Sequence, residues 1–178
     1  IASISEDAAG RTITCMSPTK TFNLAGLQAS YIVTPNKKMR ETIQASLGFQ
    51  GFNMINVMGT VALDAAYRHG KPWLEQLMKV VEANKIYATN RLESETDGLL
   101  QVVPSEATYL IWINCEKLGF TDKELQDFMI KDAKVGLNAG SSYGKDGQQF
   151  MRMNLACPQA TLQEGIDRIV KAVKALKK

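Results

Sequence analysis

Ser17-Pro18-Thr19-Lys20-Thr21-Phe22-Asn23-Leu24-Ala25-Gly26-Leu27-Gln28 is the stretch on which the reading of this chain turns. Lys20 stands among hydroxyl, small and apolar residues, with no other charge between Met16 and Asn36. Just upstream, Arg11 to Met16 alternates and is β-branched, which predicts a strand. Ser17-Pro18-Thr19 ends it, because proline cannot continue a central ladder. The lysine therefore falls just past a strand end. An amine in an uncharged, partly desolvated pocket loses proton affinity and becomes a nucleophile. Such an amine can condense with an aldehyde, and the Ser17 hydroxyl three residues earlier could hydrogen-bond a phosphate. The plainer alternative is a loop lysine that happens to lack charged neighbours.

Working outward, Ala29–Thr34 predicts a second strand, turned by Pro35-Asn36, and Lys38–Ser46 a short helix. Asn53–His69 repeats Met54, Val57, Met58, Val61, Ala62, Ala65 and Ala66 at helical spacing. Its small residues suggest core packing, with a contact surface as the alternative for Asn53 to Tyr67. His69-Gly70 suits a helix end, with glycine in a left-handed position and histidine at the C-terminus; end-capping is preferred over catalysis for His69. Pro72 opens a long helix to about Leu92, and Thr96-Asp97-Gly98 is a turn signal. Strands are expected at Gln101–Val103, Thr108–Asn114, Val135–Leu137 and Phe150–Leu155. Thr121 with Glu124, and Thr161 with Glu164, read as capping boxes. The last helix carries Leu162, Ile166, Ile169, Val170, Val173 and Leu176 on one side, with Lys171, Lys174, Lys177 and Lys178 as a solvated face. The expected class is α/β: residues 1–72 as pieces of a larger sheet flanked by helices, and residues 73–178 as a small α+β domain. Two strands do not make a stable sheet alone.

With 178 residues, 45% apolar and 22% charged, the chain has an ordinary globular composition and enough length for a core. No apolar run reaches the roughly 18 residues of a membrane span. Twenty-one basic against 18 acidic residues, net +3, is too mild a balance for a nucleic-acid surface, and a single histidine excludes a multi-histidine zinc site. Cys15, Cys115 and Cys157 are odd in number, widely spaced and set in apolar stretches. They read as buried, inert thiols in a cytoplasmic protein. The chain opens on Ile1 and on neither region of a signal peptide, so it is expected to be part of a longer protein.

A second segment bears on chemistry. In Phe150-Met151-Arg152-Met153-Asn154-Leu155, one arginine interrupts an apolar strand. A buried arginine needs an anion, and its planar fork suits a carboxylate; a structural salt bridge is the alternative. The loop Gly140-Ser141-Ser142-Tyr143-Gly144-Lys145 lacks the spacing of a nucleotide phosphate loop.

Ser17-x-x-Lys20 followed by Thr21-Phe22-Asn23-Leu24-Ala25-Gly26-Leu27-Gln28 resembles the cofactor-lysine motif of fold-type I pyridoxal-phosphate enzymes. Within the class I/II aminotransferase superfamily it is most similar to the MalY/PatB-like cystathionine β-lyases. Gly140-x-x-Tyr143-Gly144 and Gly147-x-x-Phe150-x-Arg152 match the family's carboxylate-arginine region, and the spacing from Lys20 to Arg152 agrees. The resemblance covers essentially the whole chain. It implies a pyridoxal 5'-phosphate enzyme, a carbon–sulfur β-lyase acting on cystathionine or a cysteine S-conjugate. Lys20 would hold the cofactor and move protons as the catalytic residue. Ser17 would bind the cofactor phosphate, and Arg152 would clamp the substrate carboxylate. The resemblance also implies a homodimer and a missing N-terminal half carrying the remaining cofactor contacts. Gln28 stands where many aminotransferases of this fold carry an arginine, which favours the lyase branch. An aminotransferase of the same fold, and a non-catalytic fragment or interaction domain, are the alternatives.

Overall fold

The structure, a computed structural model, describes residues 1–52 and 54–176, in two compact units, Ile1–Gln76 and Leu77–Lys178. The helix expected from Asn53 begins on a residue outside those described, as do the last two lysines of the expected solvated face, Lys177 and Lys178.

The first unit opens with helix α1 (Glu6–Gly10), capped by the Ser5 hydroxyl, which accepts from Ala8 N. This helix shortens the first expected strand. Arg11 closes the helix and the Thr12 hydroxyl donates back to Ala8 O, so only β1 (Thr14–Met16) is extended. It pairs antiparallel with β2 (Tyr31–Val33), Cys15 opposite Ile32. Helix α2 (Lys37–Phe49) starts at the Asn36 cap, and α3 (Val57–His69) at the Asn56 cap. Met54, Val57, Met58 and Val61 are exposed, so among the described residues of this stretch only small ones, Gly59 and Ala66, are buried as expected. Cys15 is exposed as well, contrary to the expected burial of all three thiols, because a two-stranded ribbon has no second layer to cover it.

A single residue, Gly70, separates α3 from the long helix α4 (Lys71–Ser94). The expected left-handed glycine is not there: Gly70 has φ −76°. The position needs space instead. A Cβ at Gly70 would lie 2.4 Å from Ala66 O and 2.5 Å from Phe22 Cε1.

The second unit holds a four-stranded antiparallel sheet in the order β3 (Gln101–Val102), β4 (Leu110–Asn114), β6 (Phe150–Asn154), β5 (Asn138–Ala139). Strand β4 begins later than expected because Thr108 has φ +67°, outside the extended region. Val135–Leu137 forms no ladder; only Asn138 and Ala139 come into register, opposite Arg152 and Met151. Alternation along β4 and β6 sends Ile111, Ile113, Met151 and Met153 into the core. There they pack with Ala88 and Leu92 of α4, with Leu125 of α5 (Asp122–Asp127), and with Ile166, Ile169 and Val173 of α6 (Gln159–Ala175).

The Thr121–Glu124 capping box forms as expected. Thr161 and Glu164 do not make one. Pro158, with its ring-fixed φ, already opens α6, and its carbonyl accepts from Thr161 N, which leaves Thr161 inside the first turn. Asn84 of α4 is buried, and its amide donates to Leu155 O at 2.9 Å and Cys157 O at 3.1 Å. Arg91 pairs with Glu95 and with Asp167 of α6. Arg91, and then Lys174, hold the Glu95 carboxyl below its ordinary range.

Candidate active site

Ser17 and Lys20 lie in the first unit and Arg152 in the second, and each is built within its own unit.

After β1, buried Pro18 turns the chain into two hydrogen-bonded turns, Phe22 N to Pro18 O at 2.9 Å and Leu24 N to Thr19 O at 2.8 Å. Lys20 rides on them. Phe22 pins the turn: its ring lies 6.0 Å from Tyr67 and 6.1 Å from Trp73, in the space left by Gly70. Asn23 and Gln28 adopt left-handed backbone at φ 56° and 50°, uncommon for residues with a Cβ and typical of loops whose surroundings over-determine them.

Lys20 is exposed, so the expected desolvated pocket is not formed by the described residues. Charge isolation along a sequence does not bury an amine; packing does. Among the described residues Lys20 has no ion pair, which leaves its amine free for a covalent partner.

Ser17 is exposed, but its hydroxyl is tied into the local turn. It donates to Ala29 O at 2.6 Å and accepts from Thr19 N at 3.1 Å, and the Thr19 hydroxyl is 2.7 Å away. With the single Ser17 proton engaged at Ala29 O, Thr19 must be the donor between the two hydroxyls. Ser17 can reach a phosphate only by turning that proton away from Ala29 O.

Arg152 projects from β6 opposite Trp112 of β4 and Asn138 of β5, on the sheet face away from Met151 and Met153. It is half-buried. One Nη2–H donates to Asn138 Oδ1 at 3.0 Å, and the guanidinium carbon lies 4.8 Å from the centre of the Tyr143 ring. Its Nε is buried without a partner. Among the described residues no carboxylate pairs with it, so the salt-bridge alternative fails and the fork is open to an anion. Sequence reasoning gives Tyr143 only as part of the matching motif, without a role, and misses Asn138 and Trp112; only the strand register and the loop closure bring the three to Arg152.

Each unit thus offers one reactive group, an unpaired amine at Lys20 in the first and a guanidinium without a carboxylate partner among the described residues at Arg152 in the second. Set beside known proteins, the chain is 42% identical to the cystathionine β-lyase PatB of Bacillus subtilis over 172 residues, 97% of this chain and 44% of that one. A crystal structure of a pyridoxal-phosphate-bound aminotransferase homologue from Clostridium difficile superposes with a TM-score of 0.92 at 40% identity, covering 97% of this chain and 44% of that one. Over nearly its whole length the chain resembles the MalY/PatB-like branch of the fold-type I pyridoxal-phosphate enzymes. Cystalysin of Treponema denticola, whose structure contains pyridoxal 5'-phosphate, gives a TM-score of 0.93 at 33% identity over 98% of this chain and 44% of that one. No protein-family model matches. The chain spans less than half the length of these relatives. Among the described residues no helix is long and apolar enough to cross a membrane, and no cluster of His, Cys, Asp and Glu is set to hold a metal.

Proposed function

We propose that the protein to which this chain belongs is a pyridoxal-phosphate-dependent carbon–sulfur β-lyase that converts cystathionine or a cysteine S-conjugate to a thiol, pyruvate and ammonia. The observation that carries this reading is the open fork of Arg152, a half-buried arginine with no anionic partner among the described residues, on a chain whose relatives include a cystathionine β-lyase.

The residues present fit the cofactor at Lys20, whose amine is exposed and free of ion pairs on a doubly hydrogen-bonded turn. Lys20 would hold the cofactor, and its amine would take the proton from the substrate Cα and deliver it to the departing thiolate. Ser17 contacts the cofactor phosphate after its hydroxyl turns from Ala29 O. When bound, the cofactor supplies the electron sink for the Cα carbanion. Arg152 holds the α-carboxylate by two N–H groups and so fixes the direction of the Cα–H bond.

The reading includes residues 1–72 as part of a large cofactor-binding domain and residues 73–178 as a small domain. It includes a homodimer and an N-terminal half such as the relatives carry, for which exposed Met54, Val57 and Met58 offer an apolar contact face. Three free cysteines suit a cytoplasmic setting.

The test is borohydride reduction of the chain mixed with pyridoxal phosphate, followed by peptide mass mapping. Label on Lys20 that is lost in Lys20→Ala supports the reading; no label on Lys20 refutes it. In the whole enzyme, amino transfer to a keto acid without pyruvate release from cystathionine would favour the aminotransferase alternative.

A further inference from the structure

Arg152 does not hold its place alone. A long side chain on an open sheet face samples many rotamers unless something fixes it. Asn138 engages one end, at Nη2. The other restraint is Tyr143, whose ring centre lies 4.8 Å from the guanidinium carbon. That ring is itself wedged: Trp112 meets it edge-on at 5.4 Å and 84°, and Phe150 meets Trp112 at 6.3 Å.

The loop that carries Tyr143 is shut by main chain. Gly140 and Gly147 approach so closely that a Cβ on Gly140 would lie 2.2 Å from Gly147 O. The Ser142 hydroxyl donates to Ala139 O at 2.7 Å, and Gly144 takes φ +127°, a conformation L side chains rarely adopt.

An anion binds a guanidinium in its plane, through the N–H fork. A guanidinium carbon lying over a ring is drawn to it by the ring quadrupole, which restrains where the cation sits. With Nε sealed from water and one Nη2–H given to Asn138, the remaining donors are both N–H groups of Nη1 and one of Nη2. They open at the tip of the fork.

We propose that Tyr143 is a positioning residue for Arg152: its ring, held by the closed glycine loop and by Trp112, keeps the guanidinium in place beside Asn138 so that the tip of the fork meets a substrate carboxylate. This rests on the reading of Arg152 as the carboxylate clamp.

The test uses the full 178-residue chain with nitrogen-15 arginine, titrated with sodium acetate at constant ionic strength while the Arg152 Nε–H resonance is followed. Arg152→Lys assigns the resonance by removing it. The wild-type chain should give a saturable shift. Tyr143→Ala should weaken apparent acetate affinity about three- to tenfold and broaden the free-state line, while Tyr143→Phe, which keeps the ring, should stay within about twofold of wild type. Tyr143 is largely exposed, so neither change empties the core. Unchanged affinity in Tyr143→Ala, with binding still lost in Arg152→Lys, overturns the positioning role and leaves the clamp standing. Acetate binding that is absent from the wild-type chain, or that persists in Arg152→Lys, overturns both.

Discussion

Replacing Gly70 by alanine separates two effects of opposite sign. At φ −76° the backbone accepts any residue, so chain entropy alone would make Gly70→Ala stabilising, by about 0.4–1 kcal/mol. Space argues the other way. The new Cβ would sit 2.4 Å from Ala66 O and 2.5 Å from Phe22 Cε1, well inside the roughly 3.5–4.0 Å at which carbon atoms attract. Overpacking of this kind costs about 1–3 kcal/mol, and a backbone oxygen within a helix cannot swing aside, which places the cost in the upper half of that range. The net expectation is a loss of about 1–2 kcal/mol. With a urea slope of about 1–3 kcal/mol per molar, the unfolding midpoint should fall by roughly 0.3–2 M. Tryptophan fluorescence is a suitable probe, since Trp73 packs 6.1 Å from Phe22. Adding Phe22→Leu should recover part of the loss, as expected for two residues in contact. A Gly70→Ala midpoint at or above wild type would refute the argument, because it would mean the space beside Ala66 and Phe22 does not require a glycine.

Asn84 and Cys115 test the second unit. Asn84→Leu keeps the volume but strips both amide hydrogen bonds from the Leu155 and Cys157 carbonyls, and should cost about 2–3 kcal/mol in urea unfolding. Wild-type stability in that variant would mean the carbonyls find other partners. Burial pushes the Cys115 thiol from its ordinary 9.0 up to about 12. The unfolded chain releases this proton first as pH rises, so between those values it binds fewer protons than the folded chain. Stability from this group is therefore level below about pH 9 and falls above it, by up to ~1.4 kcal/mol per pH unit. Cys115→Ala should flatten the alkaline limb of a stability profile; an unchanged limb would show that the thiol does not titrate with unfolding.

Local chemistry was readable from the sequence where it is self-contained. The Thr121–Glu124 box forms because all its partners lie within one turn. The strands Leu110–Asn114 and Phe150–Asn154 announce themselves by alternation, whereas Arg152, read as buried, proves half-buried on the outer face. Features decided by a distant partner were not readable. The edge strand at Asn138 is defined by which residues of Phe150–Asn154 it can reach, and the apolar Val135 and Leu137 pack toward the core without pairing. Gly70 was recognised as a helix end, but its cause is Phe22, far away in sequence. Lys20 shows the same limit: an uncharged window was taken for a dry pocket, whereas exposure depends on what packs over the turn. The stacking of Tyr143 on Arg152 arises only once the glycine loop folds back.

That fold-back has a consequence for how the chain can vary. A Cβ on Gly147 would meet Gly140 O at 2.1 Å, just as one on Gly140 would meet Gly147 O, so each glycine occupies the room the other would need. Neither can be replaced first, and replacing both adds bulk twice to one main-chain contact. No stepwise mutational route leads out of the pair. Divergence in this loop is diverted to exposed Ser142, Lys145 and Asp146, while the ring beside the arginine keeps a position written into the backbone.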